Sequence, residues 1–200
     1  MLRTLRSAML AIPLSIAATT GHAQASLDDV SAWFNGWSTL TSLFRQTNND
    51  GSTSTGMLYM KRPGRLRIDY DDQDSMLIVG GGSVAIFEGT GRRSQPQVYP
   101  LRQTPLWQIL RSDVDLGHTS AIRSAHRTKD GLIHVRVYDP KRPEAGDLEL
   151  QFADRDDNAF LVGWISYPQS GEVVKVRLTA PVIGRKLAAS LFSRPHVSTR

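Results

Sequence analysis

The chain has 200 residues, with 24 Lys and Arg against 19 Asp and Glu, a formal net charge of +5, and no cysteine. This length fits one domain with a sizeable core, and the absence of cysteine excludes disulfides, thiolate metal sites and a thiol nucleophile. The basic residues are scattered among acidic ones, so the charge pattern argues against a nucleic-acid partner.

The N-terminus has the pattern of a secretory signal peptide. Arg3 and Arg6 precede an apolar run over Ala8–Ala18, which is too short to cross a bilayer. Cleavage is predicted after Ala23, with Ala25 as the alternative, and no cysteine follows that would carry a lipid anchor. Loss of the two arginines leaves 22 basic against 19 acidic residues, a formal charge of +3. We expect an exported, soluble mature protein.

The first predicted helix follows the signal peptide. Ser26 suits the N-cap position, and Asp28 and Asp29 suit the first turn. Gly36 is predicted to end or kink the helix. The apolar residues recur at helical spacing and give one aromatic face, formed by Leu27, Val30, Trp33 or Phe34, and Trp37.

After a strand predicted over Thr39–Thr47, two strands are expected to meet at the turn Arg62-Pro63-Gly64. Arg62 has the same parity as the apolar positions of its strand, so its guanidinium is expected to point into an apolar interior. That burial is costly unless some group accepts its hydrogen bonds. The apolar face of the two strands is formed by Leu58, Met60, Leu66 and Ile68.

The middle of the chain combines short strands with a second helical piece. Strands are predicted over Ser75–Val79, Ser83–Phe87 and Gln95–Leu101. A helix is predicted over Thr104–Arg111, capped by Thr104, with Pro105 in the first helical position. A further helical turn is predicted over Asp113–Leu116. The apolar residues of the predicted helix include Leu106, Trp107 and Leu110.

From Thr119 onward the pattern predicts strands. A hairpin is expected to join Ala121–His126 to Leu132–Tyr138, and alternating strands follow at residues 148–152, 160–167 and 174–178. The tail around Leu191 and Phe192 is expected to pack on the body. About ten antiparallel strands and two helical pieces predict a mainly β (α+β) chain. Its architecture is a barrel or strongly curved sheet with helices against its open face, or a sandwich.

The polar residues offer little chemistry. His126 and His134 are expected to face each other across the hairpin, but a third metal ligand is missing, so an exposed cross-strand pair is favoured. No serine has the context of a nucleophile elbow, and Gly80-Gly81-Gly82 lacks the residues of a phosphate loop. We therefore predict a binding protein with no catalytic residues, no metal and no cofactor.

The run from Gly56 to Arg67, which contains Lys61-Arg62-Pro63-Gly64, resembles the LolA family of periplasmic carriers of outer-membrane lipoproteins. The resemblance extends over nearly the whole mature chain. It implies an unclosed antiparallel β-barrel of about ten to eleven strands, with a helical lid over a hydrophobic cavity for acyl chains. Residues 1–23 would be the signal peptide and residues 24–200 a single lipoprotein-carrier domain.

The resemblance also implies functional residues and partners. Arg62 would hold the lid shut by hydrogen-bonding its backbone. The cavity and lid would be lined by Trp33, Phe34, Trp37, Leu58, Met60, Leu66, Ile68, Leu106, Trp107 and Leu110. The implied partners are acylated lipoproteins, an inner-membrane lipoprotein-releasing ABC transporter and an outer-membrane lipoprotein receptor, and a monomer is expected.

Two features depart from the family pattern. Leu66 replaces an aromatic residue of the cavity, and the strand Val84–Phe87, followed by Glu88-Gly89-Thr90, replaces a Trp-rich strand and a Tyr-x-Pro turn. These changes affect the local shape of the cavity and the choice of cargo. Two alternatives stay open, a carrier of another lipid with the same fold and a lipoprotein-sensing regulatory module. A lipid hydrolase is disfavoured by the missing nucleophile and base.

Overall fold

A computed structural model of the chain describes residues 21–72, 75–88, 95–155 and 158–194. The predicted signal peptide lies almost entirely outside these residues, and so do Gly89 and Thr90, so the predictions made for them stay predictions. Among the described residues, no helix is long and apolar enough to cross a membrane.

The described chain forms eleven strands, two α-helices and three short 3-10 helices. The α-helices are α1 (Gly21–Asn35) and α2 (Trp107–Leu110), and the 3-10 helices are Leu101–Gln103, Pro143–Ala145 and Ala189–Phe192. The first six strands are β1 (Thr39–Thr47), β2 (Thr53–Lys61), β3 (Arg65–Tyr70), β4 (Met76–Gly80), β5 (Ser83–Phe87) and β6 (Gln97–Pro100). The other five are β7 (Ile122–Arg127), β8 (Ile133–Tyr138), β9 (Gly146–Arg155), β10 (Asn158–Pro168) and β11 (Val174–Ile183).

The strands form one antiparallel sheet in the order β6-β5-β4-β3-β2-β1-β11-β10-β9-β8-β7. Strands that lie side by side in this order are consecutive in the chain, with the exception of β1 and β11. The pairing of β1 with β11 joins the two halves of the sheet. The edge strands β6 and β7 are not neighbours in this order, so the sheet is not closed. The predicted mainly β, unclosed barrel is confirmed, and the sandwich alternative is wrong because a single sheet accounts for all the described strands.

The helix predictions need correction. Helix α1 is already formed at Gly21, the first described residue, so Ser26 lies inside the helix and is not its N-cap. Helix α2 is a single turn that begins at Trp107, and the Thr104 hydroxyl donates to the Leu101 carbonyl (2.9 Å) instead of capping it.

The helical turn predicted over Asp113–Leu116 is absent, and this segment is irregular. Its backbone amides are bonded to side chains of α1: Val114 N donates to Asn35 Oδ1 (3.0 Å), and Leu116 N donates to Ser31 Oγ (2.9 Å). Since tertiary partners satisfy these donors, a local helical turn is not needed to satisfy them.

The apolar core lies on one face of the sheet, beneath α1 and α2. Every second residue of β2 and β3 contributes to it, as the alternation of apolar and polar residues in the sequence predicted. The core also takes in α1 residues such as Val30 and Phe34, both 0% exposed, so helix and sheet share one interior.

The C-terminal tail packs against β3 and β4, as predicted. Phe192 is buried, Arg67 donates to the Leu191 carbonyl (2.9 Å), and Lys61 donates to the Leu187 carbonyl (2.7 Å). Strands β4 and β5 are also buried on a second face, through a small cluster of Met76, Ile78, Ala85 and Phe87.

Gly56 makes room for an aromatic pair inside the barrel. It lies opposite Phe44 on β1 and opposite Tyr70 on β3. The two rings meet edge to face across it, with centroids 5.3 Å apart. A Cβ added at Gly56 would press on the Asp69 carbonyl and lie 2.8 Å from the Phe44 ring.

We expect Gly56→Ala to lower the free energy of unfolding by about 1–3 kcal/mol, because the methyl group overpacks the interior. Urea denaturation measures the loss. Gly36→Ala is the control: its added Cβ would have 3.4 Å to the nearest atom, the Ala32 carbonyl oxygen, so a change within about 0.5 kcal/mol is expected. Equal stability of the two variants would contradict the prediction.

Candidate functional site

Two pieces of the chain cover the apolar face of the sheet. One is α1 with the residues that lead into β1, and the other is α2 with residues 111–116, which follow it. We call these two pieces the lid. Buried residues from both pieces belong to the same hydrophobic cluster as the sheet, including Phe34 from the first piece and Leu110, Val114 and Leu116 from the second.

The aromatic residues at the end of α1 point into the barrel together with Trp37, which was predicted on the helix face but lies two residues beyond the end of α1. Phe34 is 0% and Trp37 8% exposed, while Trp33 is partly buried beside them. The rings of Trp33 and Phe34 lie 5.8 and 5.9 Å from that of Phe152 on β9, both edge to face. Such aromatic pairs add to the stability gained from burial. Phe152 was not among the residues chosen from sequence, since nothing in β9 shows which strand lies beneath the helix.

The other predicted cavity residues lie in the same interior or against it. Leu58 and Met60 face it from β2, paired with Ile68 and Leu66 of β3, and all four are buried. In the lid, Leu110 is fully buried, whereas Leu106 and Trp107 are partly buried against the core. The Arg102 guanidinium lies 4.5 Å from the centre of the Trp107 ring. The space beneath the lid is therefore occupied by the protein's own side chains.

Arg62 lies where both pieces of the lid meet the end of β2, and it is only 7% exposed. Toward the first piece, Nη1 donates to the carbonyls of Phe34 and Trp37, the latter at 3.5 Å. Toward the second piece, Nη2 donates to the carbonyls of Arg111 (3.0 Å) and Ser112 (3.3 Å). One guanidinium thus joins both halves of the lid to the sheet.

The backbone around Arg62 makes the same connections. Arg62 N donates to the Ser38 carbonyl, and Gly64 N donates to the Leu110 carbonyl, both at 2.7 Å. The turn between β2 and β3 is therefore bonded to both pieces of the lid through its main chain and its side chain. The inward direction of Arg62, read from strand parity, agrees with this position.

The electrostatics of Arg62 reflect its burial. Burial lowers the pKa of the guanidinium, and the negative charge of Asp113 acts in the opposite direction. The rings of Phe34 and Trp37 each lie 5.7 Å from its central carbon, within the range of cation–π attraction. Arginine stays protonated in proteins, so this site holds a buried positive charge compensated mainly by neutral carbonyls and rings.

Asn35 is a further lid residue, which the sequence did not single out. Its Nδ2 donates to the Val114 carbonyl (2.8 Å) and to Asp113 (3.3 Å), and its Oδ1 accepts from Val114 N (3.0 Å) and from Arg62 (3.1 Å). The side chain mimics a backbone partner and ties the two pieces of the lid together. In the sequence, Asn35 stands out only because it precedes Gly36. That position indicates the end of a helix and says nothing about a contact with residues 113 and 114.

The predicted histidine pair lies on strands β7 and β8, whereas Arg62 follows β2. His126 and His134 are directly opposite, with ring centroids 5.3 Å apart, and His134 Nδ1 lies 2.8 Å from a Glu149 oxygen. Within the part of the chain that the structure describes, no three His, Cys, Asp or Glu residues are grouped so as to hold a metal.

Comparison with known proteins places this geometry in context. The family model for the outer membrane lipoprotein carrier protein LolA matches residues 35–195, and no curated protein matches the chain. A solved DUF1329 family protein from Desulfovibrio piger has a TM-score of 0.52 at 8% identity, covering 86% of this chain and 96% of that one. A LolA superfamily protein from Nitrosomonas europaea has a TM-score of 0.43 at 12% identity, covering 88% and 98%.

We expect Asn35→Ala to loosen the attachment between the two pieces of the lid, because the variant leaves the buried Val114 N–H and carbonyl without partners. Hydrogen–deuterium exchange should show the Val114 amide exchanging about ten times faster.

The control is Ser31→Ala, which removes the acceptor of Leu116 N but none at Val114. In that variant, faster exchange is expected at Leu116 alone. Unchanged protection of Val114 in Asn35→Ala would show that the Asn35 hydrogen bonds do not hold this segment of the lid.

Proposed function

The chain belongs to the LolA family of outer-membrane lipoprotein carrier proteins, and from this premise we propose that it is a periplasmic lipoprotein chaperone. It is exported by the signal peptide of residues 1–23, and residues 24–200 act as a single carrier domain. The carrier binds the acyl chains of lipoproteins released by the inner-membrane ABC transporter. It then delivers them to a receptor at the outer membrane.

The physical need for such a carrier is clear. Each acyl methylene exposed to water costs about 0.8 kcal/mol, so a multiply acylated protein does not cross an aqueous compartment unaided. The carrier must bury those chains and later release them. Flexible side chains such as Met60 suit a ligand with no fixed shape.

The observation that carries the proposal is the bonding of the buried Arg62 guanidinium to carbonyls from both pieces of the lid. In the empty carrier the rings of Trp33, Phe34 and Trp37 fill the interior and keep apolar surface out of water. Acyl chains take the place of these rings, and the lid must then move away from the sheet.

Arg62 acts as the latch in this cycle. Each of its hydrogen bonds stabilises the closed form by roughly 1.5–3 kcal/mol at most, because a charged donor gives up water when it is buried. Burial of about two to four acyl methylenes offsets one such bond, and the whole chains of a multiply acylated ligand are needed to offset all of them. The closed form is therefore stable when empty but is readily opened by a ligand, and closure in turn favours release.

A second candidate is a carrier of another lipid with the same fold. It is favoured by the residues that replace the aromatic positions of the family pattern, Leu66 and the strand Val84–Phe87. Leu66 and Val84 are 3% exposed and belong to the core beneath the lid. Smaller side chains there leave a differently shaped space, which selects among acyl ligands.

We expect Arg62→Leu to retain the fold and to bind cargo, but to release it to the receptor more slowly, because the latch that favours the closed form is gone. Transfer of labelled lipoprotein from inner-membrane vesicles to the purified receptor measures both steps. Arg65→Leu is the matched control, since Arg65 is an exposed arginine at the start of β3. Equal transfer by Arg62→Leu and the wild type would exclude the latch.

Mass spectrometry of the protein purified from the periplasm distinguishes the two candidate functions. Co-purified triacylated lipoprotein supports the lipoprotein carrier. Phospholipid or glycolipid as the main ligand supports the second candidate, and a bound protein without acyl chains contradicts both.

A further inference from the structure

Four apolar side chains lie together on the outer face of the sheet, away from the lid. Leu43 of β1 is 52% exposed and Val182 of β11 is 40% exposed, whereas a strand with one solvated face usually carries polar residues on it. Leu43 pairs with Met57 of β2, and Thr41 pairs with both Tyr59 of β2 and Val182. Since Met57 and Tyr59 are only half-buried, the four side chains form one exposed apolar area. We call Leu43, Met57, Tyr59 and Val182 the outer patch.

Basic residues flank the outer patch at one end of β1. Arg45 is the next residue after Leu43 on the same face, and it lies directly opposite Arg177 of β11. Lys175 lies on the same face as Arg177, two residues earlier in the strand, and all three basic side chains are exposed. Like charges directly opposite each other destabilise a sheet. The stability of the fold therefore does not account for the pair of Arg45 and Arg177.

Two more basic residues lie at the other end of the outer patch. The N–H of Gly184 donates to the carbonyl of the first residue of β1 (3.0 Å), which places the segment after β11 at the start of β1. Arg185 and Lys186 follow and are exposed, and the carbonyl of Leu187 then accepts from Lys61 at the end of β2 (2.7 Å). Along β1 the outer face is thus basic, then apolar, then basic.

Negative charge is scarce on this face. The strands β2, β1 and β11 are neighbours in the sheet, all their residues are described, and none of these residues is Asp or Glu. In the adjacent strand β3, Asp69 is ion-paired with Arg67 (2.7 Å). Asp71 follows the end of β3, and the charge of Asp130, from the turn before β8, acts on Arg177. The basic residues outnumber these acids, and a region of positive potential attracts anionic surfaces.

We propose that the outer patch docks on the surface of an anionic phospholipid bilayer. Its aliphatic side chains and the Tyr59 ring enter the boundary between headgroups and acyl chains, while the flanking cations contact lipid phosphates. The inference goes beyond the carrier function and does not rest on it, because the lid and the core beneath it lie on the opposite face of the sheet. Docked in this way, the protein keeps its lid on the side away from the bilayer.

A bilayer matches the outer patch better than the other occupants of an exposed apolar face. A second copy of the chain would bring the same basic ends to the interface, and like charges across an interface oppose association. A protein partner would need acidic groups at both ends of an apolar strip. A bilayer with anionic lipids supplies phosphates on every side of the hydrocarbon that the apolar side chains enter.

Co-sedimentation of the purified protein with phospholipid vesicles tests the proposal. Vesicles of phosphatidylcholine with phosphatidylglycerol present an anionic surface, and vesicles of phosphatidylcholine alone present a neutral one. The wild type should bind the anionic vesicles at least about tenfold more tightly, because each basic residue near such a surface adds to the affinity. Raising the salt from about 0.05 to about 0.5 M should remove most of this difference, since salt screens the charges.

The contribution of charge is tested with two double variants, each of which removes one lysine and one arginine. Lys175→Gln with Arg177→Gln removes two cations of the outer face, so the affinity for anionic vesicles should fall about tenfold. Lys141→Gln with Arg142→Gln is the control. Both residues are exposed in the loop after β8, where Arg142 donates to Gln103, and the affinity should stay unchanged.

The contribution of the apolar side chains is tested with Leu43→Ser. This variant should bind anionic vesicles several-fold more weakly, because less apolar area is buried at the surface. Val98→Ser is the control, since Val98 is 47% exposed on the edge strand β6, outside the outer patch. Circular dichroism should show an unchanged fold in each variant, because every substituted residue is exposed.

Equal affinity for neutral and anionic vesicles, or equal losses in the patch and control variants, would overturn the inference. Absence of vesicle binding would also overturn it, and two measurements then identify the occupant. A dimer in sedimentation velocity that Leu43→Ser dissociates assigns the outer patch to a second copy of the chain. Binding of the purified outer-membrane receptor that Leu43→Ser weakens assigns it to a protein. Lipoprotein transfer is a separate assay, so a failure of docking is distinguishable from a failure of the carrier function.

Discussion

The burial of the Arg62 charge is the constraint on which the rest of the site depends. A guanidinium that is 7% exposed must replace the water it has lost, and here it does so with carbonyl oxygens from two separate segments of the chain. The ends of α1 and α2 are thereby held at the same turn of the sheet. Among the described contacts no carboxylate bonds directly to Arg62, so the attachment consists of bonds from one cation to neutral acceptors.

The filling of the barrel follows from the same arrangement. An open sheet with an apolar face would expose a large hydrophobic patch to water, which promotes aggregation. The aromatic residues of α1 cover this face by packing against Phe152 and its neighbours. The lid is therefore part of the same hydrophobic core as the sheet.

Two polar side chains of α1 hold the irregular segment after α2 in place. Asn35 bonds to both the N–H and the carbonyl of Val114, and Ser31 Oγ accepts from Leu116 N. These bonds account for the position of the second piece of the lid against α1.

The sequence by itself determined the strands, the inward parity of Arg62 and the aromatic face of α1, because all three depend on local periodicity. It did not determine the start of α1, the shortness of α2 or the irregular path of Asp113–Leu116. There, backbone groups are satisfied by side chains distant in sequence, such as Asn35, which no local pattern reveals. Only the tertiary structure decided that β1 pairs with β11, that Phe152 lies beneath the lid, and which carbonyls surround Arg62. Those contacts join residues far apart in the chain, and their geometry is set by how the unclosed sheet packs against the helix.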